Sequence, residues 1–446
     1  MPAPVGPQER GRGRRWRRSA RAIAVVIVIV VALGFAVPLA RGLLDESDTP
    51  IRADSWERLS RPPANDVLPG PDRGAAVWTG KELILLGSYT YRPPGSPRRP
   101  PNGLAYNPAT RRWRVLPDPP LQPNEGVGGP PVWTGKELIL APAGRAYDPA
   151  ANTWRRFTPA PTGWLPRVGG SEPVWTGAEV LVWGTADRDE ASQKTIDGGR
   201  GAAYDPATDR WRRLPRSPLN YRTGAIVAWT GRLLLVISGS CGDEGRIRCR
   251  DGAAYDPAAD TWTPIPAPAG GVIVPEVASA WTGSELIIWS AIENREGPPR
   301  GNVASAYDPR SGRWRTLPPA PIIPRRLAGV VWAGDRLLVW GGIRNLSDVR
   351  LAYPDDGAAY DPRSNRWRPL AKAPVPGRAW PLAVWTGDRA IFLGGMNPGD
   401  RLTMDRGNIT AITEQGAAYY PVGLRGGGVG SAAGRPAADR HATDSP

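Results

Sequence analysis

Two repeated words and a regular succession of turns and apolar runs predict an all-β fold, built as a closed ring of seven four-stranded blades. The first word is Trp-Thr-Gly or a near copy, which recurs about every 51 residues. The second is a tyrosine followed seven residues later by a tryptophan, as in AAYDPATDRW at residues 202–211. Helical periodicity is confined to the N-terminal segment. A repeat of this length in an all-β sequence is typical of a β-propeller.

The Trp-Thr-Gly word marks the end of the first strand of each blade and the tight turn after it. The apolar runs that follow, such as LLLVIS at residues 233–238, are apolar on both faces of the predicted second strand. Such a strand must be buried on both faces, which fits a blade packed between two neighbours. The word begins at Trp78, Trp133, Trp175, Trp229, Trp281, Trp332 (as Trp-Ala-Gly) and Trp385.

The tyrosine and tryptophan of the second word mark the third strand and the outer strand. Six complete pairs precede Tyr419, which has no tryptophan after it, while Trp56 has no tyrosine before it. We therefore expect the strand around Trp56 to be the outer strand of the last blade, paired beside the strand of Tyr419. The predicted propeller spans residues 53–424, with a disordered tail at 425–446.

Arginines bracket the tryptophan of most outer strands, as in RRWRV and RWRTL. An outer strand has an unpaired edge, and charged side chains on it oppose pairing with another protein. We expect these arginines to face solvent, which gives much of the formal net charge of +15 a structural explanation.

The N-terminal segment predicts a membrane anchor. Residues 1–21 carry seven arginines against one glutamate, and residues 22–40 have no charge at all. As a helix this apolar stretch would be about 28 Å long, close to the ~30 Å of a bilayer core. The arginines before it predict a cytoplasmic N-terminus, with residues 41–52 linking the membrane to a propeller outside the cytoplasm. A cleaved signal peptide is the alternative, and its apolar region would be shorter.

Cys241 and Cys249 are the only cysteines and lie in one connecting loop. In an oxidising compartment we expect them to form a disulfide. Two free thiols are the alternative. A metal site would need more ligands, and no histidine lies near.

The Tyr and Trp spacing resembles that of the kelch-repeat propellers, whose pattern also has Gly-Gly after the second strand. Gly341-Gly342 and Gly394-Gly395 match this pair, and Gly87, Gly184 and Gly239 keep one glycine. The resemblance implies a propeller that serves as a binding scaffold, and it implies no particular reaction. Kelch-type galactose oxidases bind copper through histidines, whereas the single histidine here, His441, lies in the tail. We therefore predict no cofactor and no metal.

The segments that join one blade to the next bring arginines and aromatic residues toward the mouth of the central channel. Arginine forks bind carboxylate or phosphate, so we expect a protein or an anionic glycan as the ligand. Alternatively, these groups only solvate the loop ends, and Trp380 packs between blades. The candidate ligand-binding residues are Arg73, Trp164, Arg167, Tyr221, Arg222, Glu276, Arg326, Arg378 and Trp380, with Glu125 and Arg325 beside them.

These features predict a membrane-anchored binding or scaffolding module outside the cytoplasm, where nucleic acid is not an expected partner. The alternative is a carbohydrate-active enzyme that uses Glu125, Glu172 or Glu276 as acid and base. Glycoside hydrolysis needs two such carboxylates about 5–10 Å apart across a cleft. The oligomeric state is not predicted.

Overall fold

The structure is a computed structural model that describes part of the chain. The described residues are 53–63, 75–86, 103–121, 130–161, 164–165, 172–184, 199–220, 222–241, 247–268, 278–294, 297–347, 350–397, 401–405, 408–412 and 416–422. Within these ranges no helix is both long and apolar enough to cross a bilayer. The predicted anchor at 22–40, the segments on either side of it and the predicted tail at 425–446 lie outside the described residues.

Seven antiparallel sheets of four strands form the blades, as the repeats predict. Blades 1 to 6 each take their strands in chain order from the first to the outer strand. In blades 1 to 3 these are Ala75–Trp78, Leu83–Leu86, Gly103–Asn107 and Arg112–Val115; Val132–Trp133, Leu138–Leu140, Arg145–Asp148 and Thr153–Arg156; Glu172–Trp175, Val180–Gly184, Arg200–Asp205 and Arg210–Arg213. In blades 4 to 6 they are Ile226–Trp229, Leu234–Ile237, Gly252–Asp256 and Thr261–Ile265; Ala278–Trp281, Leu286–Asn294, Gly297–Asp308 and Arg313–Thr316; Gly329–Trp332, Leu337–Trp340, Gly357–Asp361 and Arg366–Pro369.

Blade 7 joins the two ends of the propeller. Its strands are Leu382–Trp385, Ala390–Leu393, Gly416–Tyr420 and, as the outer strand, Ser55–Arg58. Trp56 pairs with Tyr419, in the register in which Trp211 pairs with Tyr204 inside blade 3. The predicted closure is therefore confirmed: the N-terminal strand completes the last blade.

The ring is closed around its axis and its core lies between the blades. First strands of adjacent blades contact one another all round the ring, including those of blades 7 and 1. Seven apolar clusters each fill one interface between adjacent blades. The second strands supply much of this core, since residues such as Leu234 and Val236 are 0% exposed. Burial on both faces explains why these strands are apolar throughout.

The outer-strand tryptophans link each blade to the one before it. In every blade the indole Nε1 donates a hydrogen bond to a backbone carbonyl just after the preceding outer strand, at 2.7–2.9 Å. Trp56 takes part through the carbonyl of Ala371, so the N-terminal strand is held in the same way as the other six. A bonded indole N–H also avoids the cost of burying an unpaired polar group.

A second link between blades uses the arginine that follows the outer-strand tryptophan. Arg212 of blade 3 forms two hydrogen bonds with Glu179 of the same blade, at 2.9 and 2.7 Å, and donates to the Tyr255 hydroxyl of blade 4 at 3.1 Å. These bonds raise the pKa of Arg212. We call this arrangement a rim clasp. The rim clasps are Glu82, Arg114 and Tyr147; Glu137, Arg155 and Tyr204; Glu179, Arg212 and Tyr255; Glu285, Arg315 and Tyr360.

The clasps correct the expectation that the outer-strand arginines all face solvent. The arginine before the tryptophan does so, as at Arg210. In the clasped blades the arginine after it binds the neighbouring blade; it is half-buried at Arg212 and stays more exposed at Arg155. Side chains alternate along a strand, so the residue before and the residue after one tryptophan share a face; their different surroundings come from the adjacent blade.

Candidate binding face

Short accessory strands decorate one face of the propeller, in the connections between second and third strands. Blade 5 lengthens these two strands themselves into a long hairpin. Blades 4, 6 and 7 add separate strands. They are Ser240–Cys241 and Ile247–Arg248 in blade 4; Arg344–Ser347 and Arg350–Ala352 in blade 6; Arg401–Asp405 and Asn408–Ile412 in blade 7. A further short strand, Arg222–Thr223, lies in the segment that enters blade 4.

The segments that enter the blades lie against these connections. In blade 4 the strand Arg222–Thr223 pairs with Ser240–Cys241. Isolated bridges make the equivalent contact in blade 6, between Arg326 and Ile343, and in blade 7, between Ala379 and Met396. The two kinds of loop therefore form one surface, which we call the loop-bearing face.

Three buried arginines brace this face from inside. Arg222, Arg325 and Arg378 are 1%, 0% and 0% exposed, and each stands seven residues before the tryptophan that ends a first strand. The Nε of Arg325 donates to the carbonyl of Ile323 at 2.7 Å, and its Nη1 donates to the carbonyl of Gly341 at 3.4 Å. Arg222 and Arg378 repeat both bonds, to carbonyls two residues back and sixteen residues on.

Carboxylates at the edge of the face complete two of these braces. Nη1 of Arg325 lies 2.6 Å from Asp356 Oδ1, and Nη2 of Arg222 lies 3.3 Å from Asp251 Oδ2. Both aspartates are about half exposed, with side-chain exposures of 48% and 55%. A charged donor bound to carbonyls and a carboxylate satisfies polar groups that burial would otherwise penalise.

The positions of Arg222 and Arg378 differ from the sequence expectation, which placed them at the channel mouth as ligand contacts. Both side chains are buried and their guanidinium groups bind backbone carbonyls. We therefore assign them to the support of the loop-bearing face. Arg326 is half-buried, and its backbone N–H and carbonyl both bond to Ile343.

Close backbone approach explains the glycine pairs of blades 6 and 7. Gly342 has a φ of 100°, and a Cβ there would lie 2.6 Å from the carbonyl oxygen of Arg326. Gly395 has a φ of 78°, and a Cβ there would lie 2.3 Å from the carbonyl oxygen of Ala379. Only glycine combines this backbone conformation with the missing side chain. The pair therefore lets the entering segment cross the start of the connection.

A disulfide fastens the connection of blade 4. It joins Cys241 to Cys249, the pairing expected from the sequence, with 5.8 Å between the two Cα atoms. The N–H of Cys249 also donates to the carbonyl of Gly239 at 2.9 Å. The cross-link thus closes the loop beside the buried Arg222.

An apolar cluster lies on the loop-bearing face where blades 6 and 7 meet. Leu327, Ile343 and Ala379 form its buried floor. Tyr353 and Trp380 pack against this floor and are half-buried. Burial raises the pKa of the Tyr353 hydroxyl. Both aromatic rings therefore rest on an apolar base and keep part of their surface accessible.

Two members of this cluster have an unusual backbone conformation. Leu327 and Trp380 have φ values of 57° and 49°, in the left-handed region that favours glycine, and Gly224 holds the equivalent position in blade 4 with a φ of 61°. A hydrogen bond of 2.8 Å from the Trp380 N–H to the Leu327 carbonyl joins the two segments. Each such residue costs on the order of 1–3 kcal/mol, and residues of this kind are concentrated at binding sites.

Exposed aliphatic side chains lie on other segments of the loop-bearing face. Leu351, on the accessory strand two residues before Tyr353, is 44% exposed, and Ile323, in the segment entering blade 6, is 46% exposed. We call Ile323, Leu351, Tyr353 and Trp380 the apolar patch. Of these four residues, only Trp380 is predicted as a binding residue from the sequence. Alignment of the repeats with one another does single out the position of Trp380. The equivalent residues of the other two blades that have a buried arginine are Gly224 and Leu327.

The other predicted residues divide into two groups. The Trp164 ring lies 4.9 Å from the Arg213 guanidinium, which covers one of its faces. One face of the Trp164 ring is thus occupied by a contact within the protein. Arg73, Glu125, Arg167, Tyr221 and Glu276 lie outside the described residues, as does the side chain of Glu172.

Curated proteins with similar sequences share the kelch repeat. Kelch domain-containing protein 3 of Homo sapiens is 24% identical over 51% of this chain and 61% of its own length. Kelch-like protein 35 of Mus musculus is 29% identical over 38% of this chain and 26% of its own length. Kelch-like protein terF of Aspergillus terreus is 25% identical over 46% of this chain and 45% of its own length. No protein-family model matches the chain.

Similarity to three kelch proteins, added to a ring of seven four-stranded blades with the Tyr and Trp register, decides the family. The chain is a kelch-repeat β-propeller. This kelch chain spans 61% or less of the length of the curated relatives it matches. The kelch resemblance therefore accounts for the scaffold, whereas any ligand site depends on the side chains of the loop-bearing face.

Proposed function

We propose that this kelch propeller is a membrane-anchored binding module that holds a protein partner on its loop-bearing face, outside the cytoplasm. The apolar patch is the observation that carries the proposal. It combines two half-buried aromatic rings with two aliphatic side chains that are 44% and 46% exposed. Aromatic anchors on an apolar floor are the usual centre of a protein interface.

The rigidity of the patch supports a binding role. Leu327 and Trp380 keep a strained conformation because Arg325 and Arg378 fix the segments on which they lie. A surface that is ordered before binding loses little conformational entropy on binding. This is how a shallow apolar surface can bind a partner selectively.

A protein partner fits the face better than an anionic glycan does. Three arginines of the entering segments bind internal carbonyls, and Trp164 stacks against Arg213. An anionic polymer would need free guanidinium groups and open ring faces. The accessible side chains of the patch are instead apolar.

The sequence and the disulfide support a location outside the cytoplasm. The uncharged stretch at 22–40 follows seven arginines, which favours a cytoplasmic N-terminus. A disulfide such as Cys241–Cys249 persists in oxidising compartments and is rare in the cytosol.

Photocrosslinking in cells tests the binding face. The full-length protein would carry p-benzoylphenylalanine in place of Leu351, and the matched control would carry it in place of Arg363, an exposed residue at the turn between the third and outer strands of the same blade. We expect a discrete protein adduct at Leu351 that the additional change Trp380→Ala weakens. No adduct at Leu351, or equal adducts at both sites, would overturn the proposed binding face.

Fractionation tests the anchor separately. We expect the full-length protein in the membrane fraction and a variant without residues 22–40 in the soluble fraction. Protease added to intact cells or spheroplasts should digest the propeller of the full-length protein without lysis. Digestion should need prolonged treatment, because the propeller is folded. Protection of the propeller until lysis would contradict an extracytoplasmic location.

A further inference from the structure

The interface between blades 4 and 5 lacks the rim clasp that its neighbours have. Where blade 3 has Glu179 and Arg212, blade 4 has Leu233 and Thr263. Both members of the ion pair are thus replaced together. No hydrogen bond joins the Tyr307 hydroxyl of blade 5 to another described residue.

The turn beyond Tyr307 has changed as well. In the adjacent blades the tyrosine hydroxyl donates to an Asx side chain five residues later, as Tyr255 does to Asp260 and Tyr360 does to Asn365. Five residues after Tyr307 stands Gly312, which has no side-chain acceptor. All the polar groups that form or extend a clasp are therefore replaced at this interface.

The two interfaces of the closing blade have charged links of another form. Arg368 of blade 6 binds Asp54 and the Tyr419 hydroxyl of blade 7, both at 3.1 Å. Glu57 of blade 7 binds Arg111 of blade 1 at 2.6 Å. Blade 7 is built from two separate chain segments, yet charge-assisted hydrogen bonds join it to both blade 6 and blade 1.

Only apolar packing and one hydrogen bond remain between blades 4 and 5 among the described residues. The indole of Trp314 donates to the carbonyl of Pro266 at 2.8 Å. Ile226, Leu235 and Leu286 belong to the apolar cluster of this interface. Such packing is non-directional, so it tolerates a change of blade angle better than a two-bond arginine clasp does.

We propose that the ring has a built-in hinge between blades 4 and 5, where the missing clasp lets the two blades separate more readily than at any clasped interface or at the closing blade. Blade 4 carries the disulfide-closed loop, and blade 5 carries the long hairpin. Motion at this hinge changes the spacing of these two elements on the loop-bearing face. The proposal does not depend on the identity of a partner.

Spin-label distances in the full-length protein test the hinge. The residue three after the third-strand tyrosine is exposed in every blade, so equivalent label pairs span different interfaces. Ala207→Cys with Ala258→Cys spans blades 3 and 4, Ala258→Cys with Arg310→Cys spans blades 4 and 5, and Val422→Cys with Ala109→Cys spans blades 7 and 1. We expect the broadest distance distribution across blades 4 and 5. Equal widths, or a broader distribution across blades 7 and 1, would overturn the proposal.

Transplanting the clasp gives a second test. L233E with T263R copies Glu179 and Arg212 to the hinge beside Tyr307, and we expect it to lower the population of separated blades about two- to fivefold. The reciprocal control, E179L with R212T, should broaden the distribution across blades 3 and 4. If the transplanted variant does not fold, the reciprocal variant still decides: an unchanged distribution there would show that the clasp does not restrain the blades.

Discussion

Each outer-strand tryptophan packs against a tyrosine of its own blade and bonds to the chain that leaves the previous blade. Trp56 illustrates both contacts. Its ring centroid lies 5.0 Å from Tyr419 and 5.6 Å from Trp340 and from Phe392. Its indole N–H donates to the carbonyl of Ala371 at 2.7 Å. A single side chain thus fixes the N-terminal strand to blades 6 and 7.

Substitutions at Trp56 should separate packing from hydrogen bonding. We expect Trp56→Ala to lower the free energy of unfolding by about 3–5 kcal/mol, because it removes a large ring from an aromatic cluster. Trp56→Phe keeps most of the packing and should cost about 1 kcal/mol, chiefly for the lost hydrogen bond. Urea unfolding followed by circular dichroism measures both. Equal losses for the two variants would contradict this division.

Asp54 should make ring closure sensitive to acid. Burial raises its pKa, but hydrogen bonds from Tyr419 and Arg368 outweigh burial and hold the pKa below its ordinary value. A lowered pKa means that the carboxylate stabilises the folded state fully above about pH 4 and loses this effect as the pH falls through the folded-state value.

Asp54→Asn tests this sign. The asparagine keeps an oxygen for Tyr419 but has no charge for Arg368. We expect wild type to be more stable than the variant at pH 7, and the difference to shrink as the pH is lowered from 4 to 3. Urea midpoints at these pH values give the result. A difference that stays constant over this range would rule out the carboxylate as its source.

At the scale of elements, the buried arginines explain which repeats keep a second glycine. Arginine stands seven residues before the first-strand tryptophan only in blades 4, 6 and 7. The same three blades have glycine ten residues after that tryptophan, at Gly239, Gly342 and Gly395. Arginine and glycine occur together because the segment fixed by the arginine is the one that crosses the glycine backbone.

Lysine cannot replace such an arginine. One ammonium group cannot reach both the Ile323 and Gly341 carbonyls that Arg325 binds, so Arg325→Lys should cost about 2–4 kcal/mol through unsatisfied buried groups. The adjacent half-buried Arg326 serves as the control, and Arg326→Lys should cost less than about 1 kcal/mol. Thermal and urea unfolding measure both. Equal costs would argue against the bracing role.

At the scale of the whole molecule, the ring is held by links of unequal kind. Rim clasps join blades 1 and 2, 2 and 3, 3 and 4, and 5 and 6. The closing blade uses Asp54 and Glu57 from the N-terminal strand. These two carboxylates belong to the N-terminal segment. In the sequence this segment is more than 300 residues away from Tyr419, although the two strands pair.

The closing strand should act when supplied as a separate peptide. A chain without residues 1–63 leaves the Gly416–Tyr420 strand with an unpaired edge, so we expect a lower melting temperature and aggregation. A peptide of residues 53–63 should raise the melting temperature in a concentration-dependent way. The same peptide with Trp56→Ala is the matched control. Equal effects of the two peptides would show that the peptide does not bind at the native position of the N-terminal strand.

The repeats predicted the fold because the same strand and turn motifs recur in each of the seven units. Six copies of Trp-Thr-Gly, the near copy Trp-Ala-Gly at Trp332, and the split pair of Trp56 and Tyr419 were enough to count the blades and to close the ring. The site was harder to predict, because the sequence does not distinguish an arginine that contacts a ligand from one that binds a backbone carbonyl. Arg222 and Arg378 face carbonyls.

The sequence by itself determined the all-β class, the number of blades, the closing strand and the pairing of the two cysteines, because each depends on spacing along the chain. Tertiary structure alone decided which arginines are buried and which arginines bridge two blades. It also decided that the loop-bearing face includes Ile323, Leu351, Tyr353 and Trp380. The physical reason is that burial and contact between blades depend on residues about 50 positions apart, whose approach is set by the packing of the ring.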